Sequence, residues 1–276
     1  MLLAIVRGRD MVTQGDLKKD GFQLVQGLVP TALTDEVVKG ISSSVAHQLT
    51  HLEIDSDEEL HSAMKTLFNV DLERYKKTVS AIWRRTEVYA LLHHPVIVEF
   101  VSEILATDDL FIAGGQVVHI MSDELRVPGG YFGFKAHQDF PSVRGSLDGV
   151  LVWVALTDID ESNYPVEVIP RSHLHGLFPT VADSRNEIRS EFIEESEFIP
   201  ISCNVGDVLI LDNHLVHRSS VQGDGRLRLA CSVRYDNGTE ATYIQRGYPT
   251  AYTRSVDRMS ISQHHMVSNT DSGGSD

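Results

Sequence analysis

The chain has 276 residues, 42% of them hydrophobic and 23% charged. That balance excludes wholesale disorder, a collagen-like repeat and a membrane bundle, and the length suffices for one well-buried domain. Twenty-four Lys and Arg against 39 Asp and Glu give a net charge of −15, a field that repels phosphate backbones and anionic lipid, so neither nucleic acid nor a membrane is an expected partner.

Two cysteines, Cys203 and Cys231, read as free buried thiols of a reducing compartment, which favours the cytoplasm. The apolar run Met1–Val6 is too short for a signal-peptide core. No other segment approaches the ~18 uninterrupted apolar residues of a bilayer span.

In chain order, the pattern predicts a short helix over Gly15–Lys19, a strand over Phe22–Val29, and a helix introduced by Pro30. In that helix Leu33, Val37, Val38, Ile41 and Val45 form one buried stripe. Residues 50–70 carry Glu53, Asp55, Asp57, Glu58 and Glu59 and read as solvated. Helical periodicity resumes over Val70–Leu92, and a further helix runs over Val96–Leu105 beyond the break at Pro95. His93 and His94, at that break, read as caps of the terminal carbonyls. Residues 13–107 are therefore expected to be mainly helical.

The texture then changes to β-branched and alternating runs at Leu110–Met121, Gly149–Leu156, Glu167–Ile169, Val208–Leu211 and Leu227–Tyr235. Short strands without long intervening helices indicate an antiparallel sandwich or jelly roll over residues 108–240. The acidic Thr180–Pro200 segment holds Asp183, Glu187, Glu191, Glu194, Glu195 and Glu197 and has the length of a lid. Residues 268–276 contain no apolar side chain and read as a disordered tail behind a single domain of residues 1–267.

The chemistry lies in the spacing of histidines. His137 and Asp139 stand at i and i+2, on one side of a strand. Eighty residues later, the apolar run from Gly206 leads to His217. Two imidazoles and one carboxylate on neighbouring strands make a facial triad that leaves iron positions open for a cosubstrate and oxygen. His214 competes with His217, but alternation along the strand puts the two on opposite faces. Arg228, eleven residues beyond His217, offers a two-pronged guanidinium to the distal carboxylate of an oxo-acid.

With these residues the sequence resembles the phytanoyl-CoA dioxygenase family of Fe(II)- and 2-oxoglutarate-dependent oxygenases. The resemblance rests on Ala136-His-Gln-Asp139, Trp153-Val-Ala-Leu-Thr-Asp-Ile-Asp-Glu-Ser-Asn163, Val168-Ile-Pro-Arg-Ser-His173, Gly206-Asp-Val, His217-Arg-Ser219 and Arg226-Leu-Arg-Leu-Ala-Cys-Ser-Val-Arg-Tyr235, with Asp20–Val29 similar to the family's opening strand. It implies a mainly β fold with N-terminal helices, a double-stranded β-helix of the cupin-like jelly-roll kind. It implies His137, Asp139 and His217 as ligands of Fe(II), Arg228 as anchor of the 2-oxoglutarate C5 carboxylate, Ser219 as a hydroxyl donor to it, and Gln116 as a further pocket residue.

The implied reaction hydroxylates an unactivated C–H bond of a small-molecule metabolite, consuming 2-oxoglutarate and O₂ and releasing succinate and CO₂; secondary metabolism is the expected setting. Desaturation, cyclisation or epimerisation at the same iron is the alternative in chemistry. A non-catalytic metal-binding jelly roll is the alternative in class. Asp139 is retained where related halogenases carry a small residue.

Tyr164, Pro165 and Arg171 depart from the family pattern and set the substrate apart. Arg144 and Arg171 are candidates for recognising an anionic substrate from the pocket mouth, unless both pair with the acidic 180–200 segment. Trp153 is a candidate cavity residue. Arg234 reads mainly as the partner of a core carboxylate, and His173 and His175 as loop residues bracing the mouth of the site.

Overall fold

The structure, a computed structural model, describes residues 12–55, 59–130, 132–182, 184 and 186–252. The Met1–Val6 run, Asp57, Glu58, Asp183 and the 268–276 tail lie outside the described residues.

The chain opens with β1 (Thr13–Gln14), α1 (Leu17–Asp20), β2 (Phe22–Val25) and α2 (Thr31–His51). Asp16 caps α1 by accepting the Lys19 amide at 3.0 Å. Strand β2 stops short of the expected Val29 because the chain turns at Gly27, φ +58°. Along α2 the fully buried Val37, Ile41, Val45 and Leu49 recur every four residues and form the expected inner stripe.

The periodicity expected over 70–92 is divided into α3 (Leu60–Val70), α4 (Leu72–Val79), a 3₁₀ turn at Ile82–Arg84 and α5 (Thr86–Leu92). Asp71 makes the first break: its backbone is extended and its carboxylate accepts the Arg74 amide at 2.9 Å, capping α4. Helix α3 begins inside the acidic stretch because Leu60, Ala63, Met64 and Leu67 give it a buried face. Helix α6 (Pro95–Leu105) is capped by His94, whose Nδ1 accepts the Val96 amide at 3.3 Å. His94 thus serves the N-terminus of the following helix and not the carbonyls of the preceding one. The Thr86–Leu105 stretch reaches a mean hydropathy of 1.4, but it is broken at His93–His94, and Val88, Leu91, Leu92, Ile97 and Val101 bury their side chains in the helix–sheet core.

Strands β3 (Leu110–Ile112), β4 (Val117–Met121), β5 (Val150–Ala155), β6 (Val166–Val168), β7 (Ile199–Ile201), β8 (Val208–Asp212), β9 (His217–Ser219) and β10 (Arg228–Asn237) follow. The large antiparallel sheet runs β1-β2-β8-β5-β10-β3, with β4 also paired to β10. The small sheet runs β7-β6-β9, and beyond β9 His137 bridges to His217 and Glu187 bridges to His137.

Val152, Val154, Val208, Ile210, Cys231 and Val233 join the helices in one core cluster. Their alternate neighbours Leu151, Trp153, Leu209, Leu211 and Ala230 pack on Val166, Val168 and Ile201 of the small sheet. Both faces of β5 and β10 are therefore covered, which is why β5 reads as a continuous apolar run. Cys203 and Cys231 belong to different clusters and are both free. On β10 the face turned toward the small sheet carries Arg228, Ser232, Arg234 and Asp236, all buried and polar. A packed interior tolerates such a row only where something pairs with it.

Candidate metal centre

His137, Asp139 and His217 are 4%, 1% and 6% exposed, and one ligand atom from each lies within 4.8 Å of the others. His137 and His217 are joined across the sheet by reciprocal amide-to-carbonyl hydrogen bonds of 3.0 Å. His137 Nδ1 bonds the Lys135 carbonyl at 2.7 Å and His217 Nδ1 the Leu215 carbonyl at 3.0 Å. A carbonyl only accepts, so both Nδ1 atoms carry the proton and both Nε2 atoms keep a lone pair for a metal. Asp139 follows two residues after His137, where the strand gives way to α7 (Phe140–Val143). Gln138 points the other way: its Nε2 donates to the Gly176 and His214 carbonyls at 2.8 and 2.6 Å, and its Oε1 accepts the Phe178 amide.

Arg234 grips both oxygens of Asp139, Nε to Oδ2 at 2.8 Å and Nη2 to Oδ1 at 2.9 Å. Burial pushes the Asp139 carboxyl up, but the Arg234 guanidinium, with the nearby His137 and His217, reverses this and holds it well below the usual range. Burial, then the neighbouring His137, lowers His217 to about 4. The group therefore presents one carboxylate and, at His217, a neutral imidazole at ordinary pH. Two nitrogens and one oxygen, buried and preset in tautomer, fit a divalent metal of the 2-His-1-carboxylate type with positions left open.

Between the sheets these ligands adjoin a small cavity that His119, Phe134, Trp153, Ser219, Arg228 and Ser232 help to line. Arg228 is 1% exposed, and its guanidinium carbon stands 4.8 Å from the centre of the Trp153 ring. Ser219 Oγ accepts the Phe134 amide at 3.2 Å, which leaves the hydroxyl proton to donate elsewhere. The structure thus brings Trp153, Ser219 and Arg228 to one cavity with the triad.

His119 was not among the expected site residues. It lies on β4 opposite Ala230, inside the sandwich, with Nε2 2.9 Å from Ser232 Oγ. Burial, then the Arg228 and Arg234 charges, hold it well below its usual range. The alternation Val117, His119, Met121 was the signal available for it. Arg234 proves to pair with a carboxylate as expected, but that carboxylate is the metal-ligand candidate itself.

Other expectations are corrected. Gln116 does not line the cavity: it continues the helix-facing series of Val118 and Ile120, and its Nε2 meets His93 Nε2 at 3.0 Å. Arg144 and Arg171 are exposed and lie outside the cavity lining. Each adopts a left-handed backbone at a helix end, φ +58° and +69°, and among the described residues neither makes the alternative ion pair with the 180–200 segment. Tyr164 is fully buried, and its hydroxyl accepts the Asp123 amide at 2.9 Å, so this departure from the family pattern secures a loop.

His214 stacks on Phe140 with ring centres 4.5 Å apart, outside the triad. His173 Nε2 bonds the Lys18 carbonyl at 3.2 Å. Within the acidic segment, Glu187 pairs with Lys135 at 2.8 Å, and the Ile188 amide donates to the Ala136 carbonyl. The stretch around Glu187 therefore lies as an added edge beside His137. Ser184, Asn186 and Glu187 line a groove that reaches His137 and Ser219.

The profile of the phytanoyl-CoA dioxygenase (PhyH) family matches residues 17–226. No curated protein sequence matches the chain. Among solved structures, the fold is similar to that of the non-heme monooxygenase ThoJ in its apo form, at 20% identity and a TM-score of 0.55 over 80% of this chain and 75% of that one. It is also similar to the epimerase SnoN in complex with Fe³⁺, alpha ketoglutarate and nogalamycin RO, at 16% identity and 0.51 over 81% of each chain. A third similar structure is HygX from Streptomyces hygroscopicus with nickel and 2-oxoglutarate bound, at 13% identity and 0.50 over 81% of this chain and 85% of that one.

Proposed function

The chain belongs to the phytanoyl-CoA dioxygenase family, and from that premise we propose that it is an Fe(II)- and 2-oxoglutarate-dependent oxygenase that hydroxylates a C–H bond of a small molecule. The observation that carries the reading is the buried His137, Asp139 and His217 group beside a cavity that also holds Arg228. We read the two facing sheets as the double-stranded β-helix of such enzymes, residues 1–267 as one domain, and the cytoplasm as its setting. The two free, buried thiols support a reducing compartment.

Bound Fe(II), with 2-oxoglutarate and O₂, supplies the oxidising power for C–H cleavage and yields succinate and CO₂. The chain's own residues supply the geometry. His137 and His217 offer Nε2 because their Nδ1 protons are committed to backbone carbonyls. Asp139 is kept ionised and aimed by Arg234. Arg228 presents a planar fork to the distal carboxylate of 2-oxoglutarate, and Ser219 donates its hydroxyl to the same group. Trp153, with Leu151, Val166 and Leu211, forms apolar wall around that end of the cavity and keeps water from the ion pair. We assign the stretch around Glu187 the part of a lid over His137.

The test is to supply purified protein with Fe(II), 2-oxoglutarate and O₂ and to follow succinate by NMR, with and without candidate metabolites. Fe(II)-dependent succinate, produced slowly alone and faster with one candidate, is expected. No succinate, and no 2-oxoglutarate binding to the metal-loaded protein, would overturn the reading. Mass analysis of the product separates a gain of one oxygen from desaturation, ring closure or epimerisation.

A further inference from the structure

At the end of the large sheet nearest the metal-ligand candidates, β3 and β4 both pair with β10, and the residues between them leave the ladder. The Ala113 amide still donates to the Arg234 carbonyl at 3.0 Å, and Gly114 then turns the chain at φ +87°. A cleft opens there, lined by Trp83, Arg84, Tyr89, Gly114, Gln116 and Tyr252. Its aromatic walls are open to solvent: Trp83, Tyr89 and Tyr252 are 42%, 55% and 41% exposed. Such a grouping of large rings is costly to leave in water unless a ligand covers it.

Two contacts hold the Tyr252 wall of the cleft. The Ala251 amide donates to the Val143 carbonyl at 2.9 Å, tying the Thr250–Tyr252 wall to the helix that starts just after Asp139. The Tyr252 ring lies on Gly114, where a Cβ would come within 2.7 Å of it.

The opposite wall is braced by a directed chain of hydrogen bonds. Tyr235 Oη donates to the Leu92 carbonyl, so it accepts from His93 Nδ1 at 2.9 Å. His93 Nε2 then accepts from Gln116 Nε2 at 3.0 Å, and Gln116 Oε1 remains as an acceptor. This order requires a neutral His93, and burial lowers that residue's pKa. The His93 ring also packs on Tyr89, centre to centre 4.3 Å.

In a chain of net charge −15, recognition of an anion has to come from a local contact. Among the described residues Arg84 makes no ion pair, and it is the cation in the cleft lining. We propose that this cleft receives the molecule to be oxidised, and that it selects a flat aromatic or conjugated ring bearing a carboxylate or comparable anion, the ring against Trp83, Tyr89 and Tyr252 and the anion on Arg84. The inference rests on the oxygenase reading and assigns its substrate class.

The test uses the full chain loaded with Zn(II) and titrates 2-naphthoate, its neutral counterpart 2-naphthalenemethanol, and cyclohexanecarboxylate by calorimetry. Wild type should bind 2-naphthoate best. Arg84→Gln should weaken 2-naphthoate by ~10-fold and leave 2-naphthalenemethanol nearly unchanged. Tyr252→Ala should weaken both naphthalenes by ~3–10-fold. With Mn(II) in place of Zn(II), the proton signals of bound 2-naphthoate should broaden. No binding by wild type at millimolar probe, equal binding by wild type and both variants, or unbroadened signals would overturn the inference. Uncoupled 2-oxoglutarate consumption is measured separately, on wild type. Its absence from wild type overturns the oxygenase reading, a result distinct from the loss of Arg84-dependent binding.

Discussion

His137 and His217 face each other as a hydrogen-bonded pair across the small sheet, each amide donating to the other's carbonyl at 3.0 Å, with ring centres 4.2 Å apart. The distance between the two imidazoles is thus set by the ladder, and the third ligand follows from the two-residue step to Asp139. His137→Ala, Asp139→Ala and His217→Ala should each weaken Fe(II) binding by more than ~100-fold, the upper range for mere outer-shell changes. His214→Ala should bind normally. Anaerobic titration of Fe(II), with circular dichroism to verify folding, checks this; loss of iron from His214→Ala alone would refute the ligand set.

Arg234 sets the charge state of Asp139, so its removal should show in pH dependence. In wild type the carboxyl lies below its ordinary value of 3.8. It therefore contributes stability that is complete above that value and is lost as pH falls through the folded-state pKa. In Arg234→Gln burial is opposed only by His137 and His217, and the carboxyl should take up a proton at a pH where wild type is ionised. Metal-free Arg234→Gln should lose about 3–5 kcal/mol, the cost of leaving a buried charge alone. Its Fe(II) affinity should fall by ~10–100-fold and fall further on mild acidification. Urea unfolding and Fe(II) titration across pH measure the two effects.

Arg228→Ala should leave Fe(II) binding intact and weaken 2-oxoglutarate by about 2–5 kcal/mol, a loss of well over tenfold. Ser219→Ala removes a single hydroxyl donor and should cost about 1 kcal/mol. The nearby Arg226 cannot take over, because it is exposed and held by Asp224 and Asp160 at 2.6 and 2.7 Å. Calorimetric titration of 2-oxoglutarate into the Co(II)-loaded proteins decides this; equal affinity in Arg228→Ala and wild type would remove Arg228 from the role.

Asp236 behaves in the opposite sense from Asp139. It is fully buried, and burial raises its carboxyl above 3.8 despite hydrogen bonds from the Ser146 amide and hydroxyl. The folded state holds this proton more tightly than the unfolded chain, so the group's contribution to stability is greatest at low pH and declines as pH rises through its raised folded value. Asp236→Asn keeps an acceptor for Ser146 and removes the titration. The variant should gain on wild type as pH rises above about 4, measured by urea unfolding; a constant difference would refute the assignment.

Much of this was legible in the sequence, for local reasons. The intervals between His137, Asp139, His217 and Arg228 survive folding, so these residues could be named from their spacing taken together with the family resemblance. Alternation along β5 set Trp153 on the face opposite Val152 and Val154 and left open whether it lined the cavity or filled the interior. What escaped depends on register between distant segments. His119 enters the site because β4 pairs Ala230 with it, and no interval along the chain announces that. Arg144 and Arg171 were drawn toward the pocket by their place in sequence, whereas each sits at a helix end in a left-handed turn. The helical region was recognised as helical but not divided correctly, since the breaks at Asp71 and Arg85 leave the apolar period almost undisturbed.

Strand β10 carries the proposed cosubstrate anchor at Arg228, the support of His119 at Ser232, and the clamp on Asp139 at Arg234, all on one face and two or four residues apart. A one-residue insertion or deletion between Arg228 and Arg234 would part the anchor from the clamp, because each side chain beyond the change would exchange faces. The cleft residues Trp83, Arg84, Tyr89 and Tyr252 lie outside that strand, on a 3₁₀ turn, a helix and a C-terminal segment. The exposed positions of the 82–92 and 247–252 segments can therefore be varied without altering β10, whereas Ile82, Val88, Leu91 and Leu92 belong to the core and have to be kept. A library varied at the exposed positions of those two segments should vary the molecule attacked and leave the oxidation itself intact.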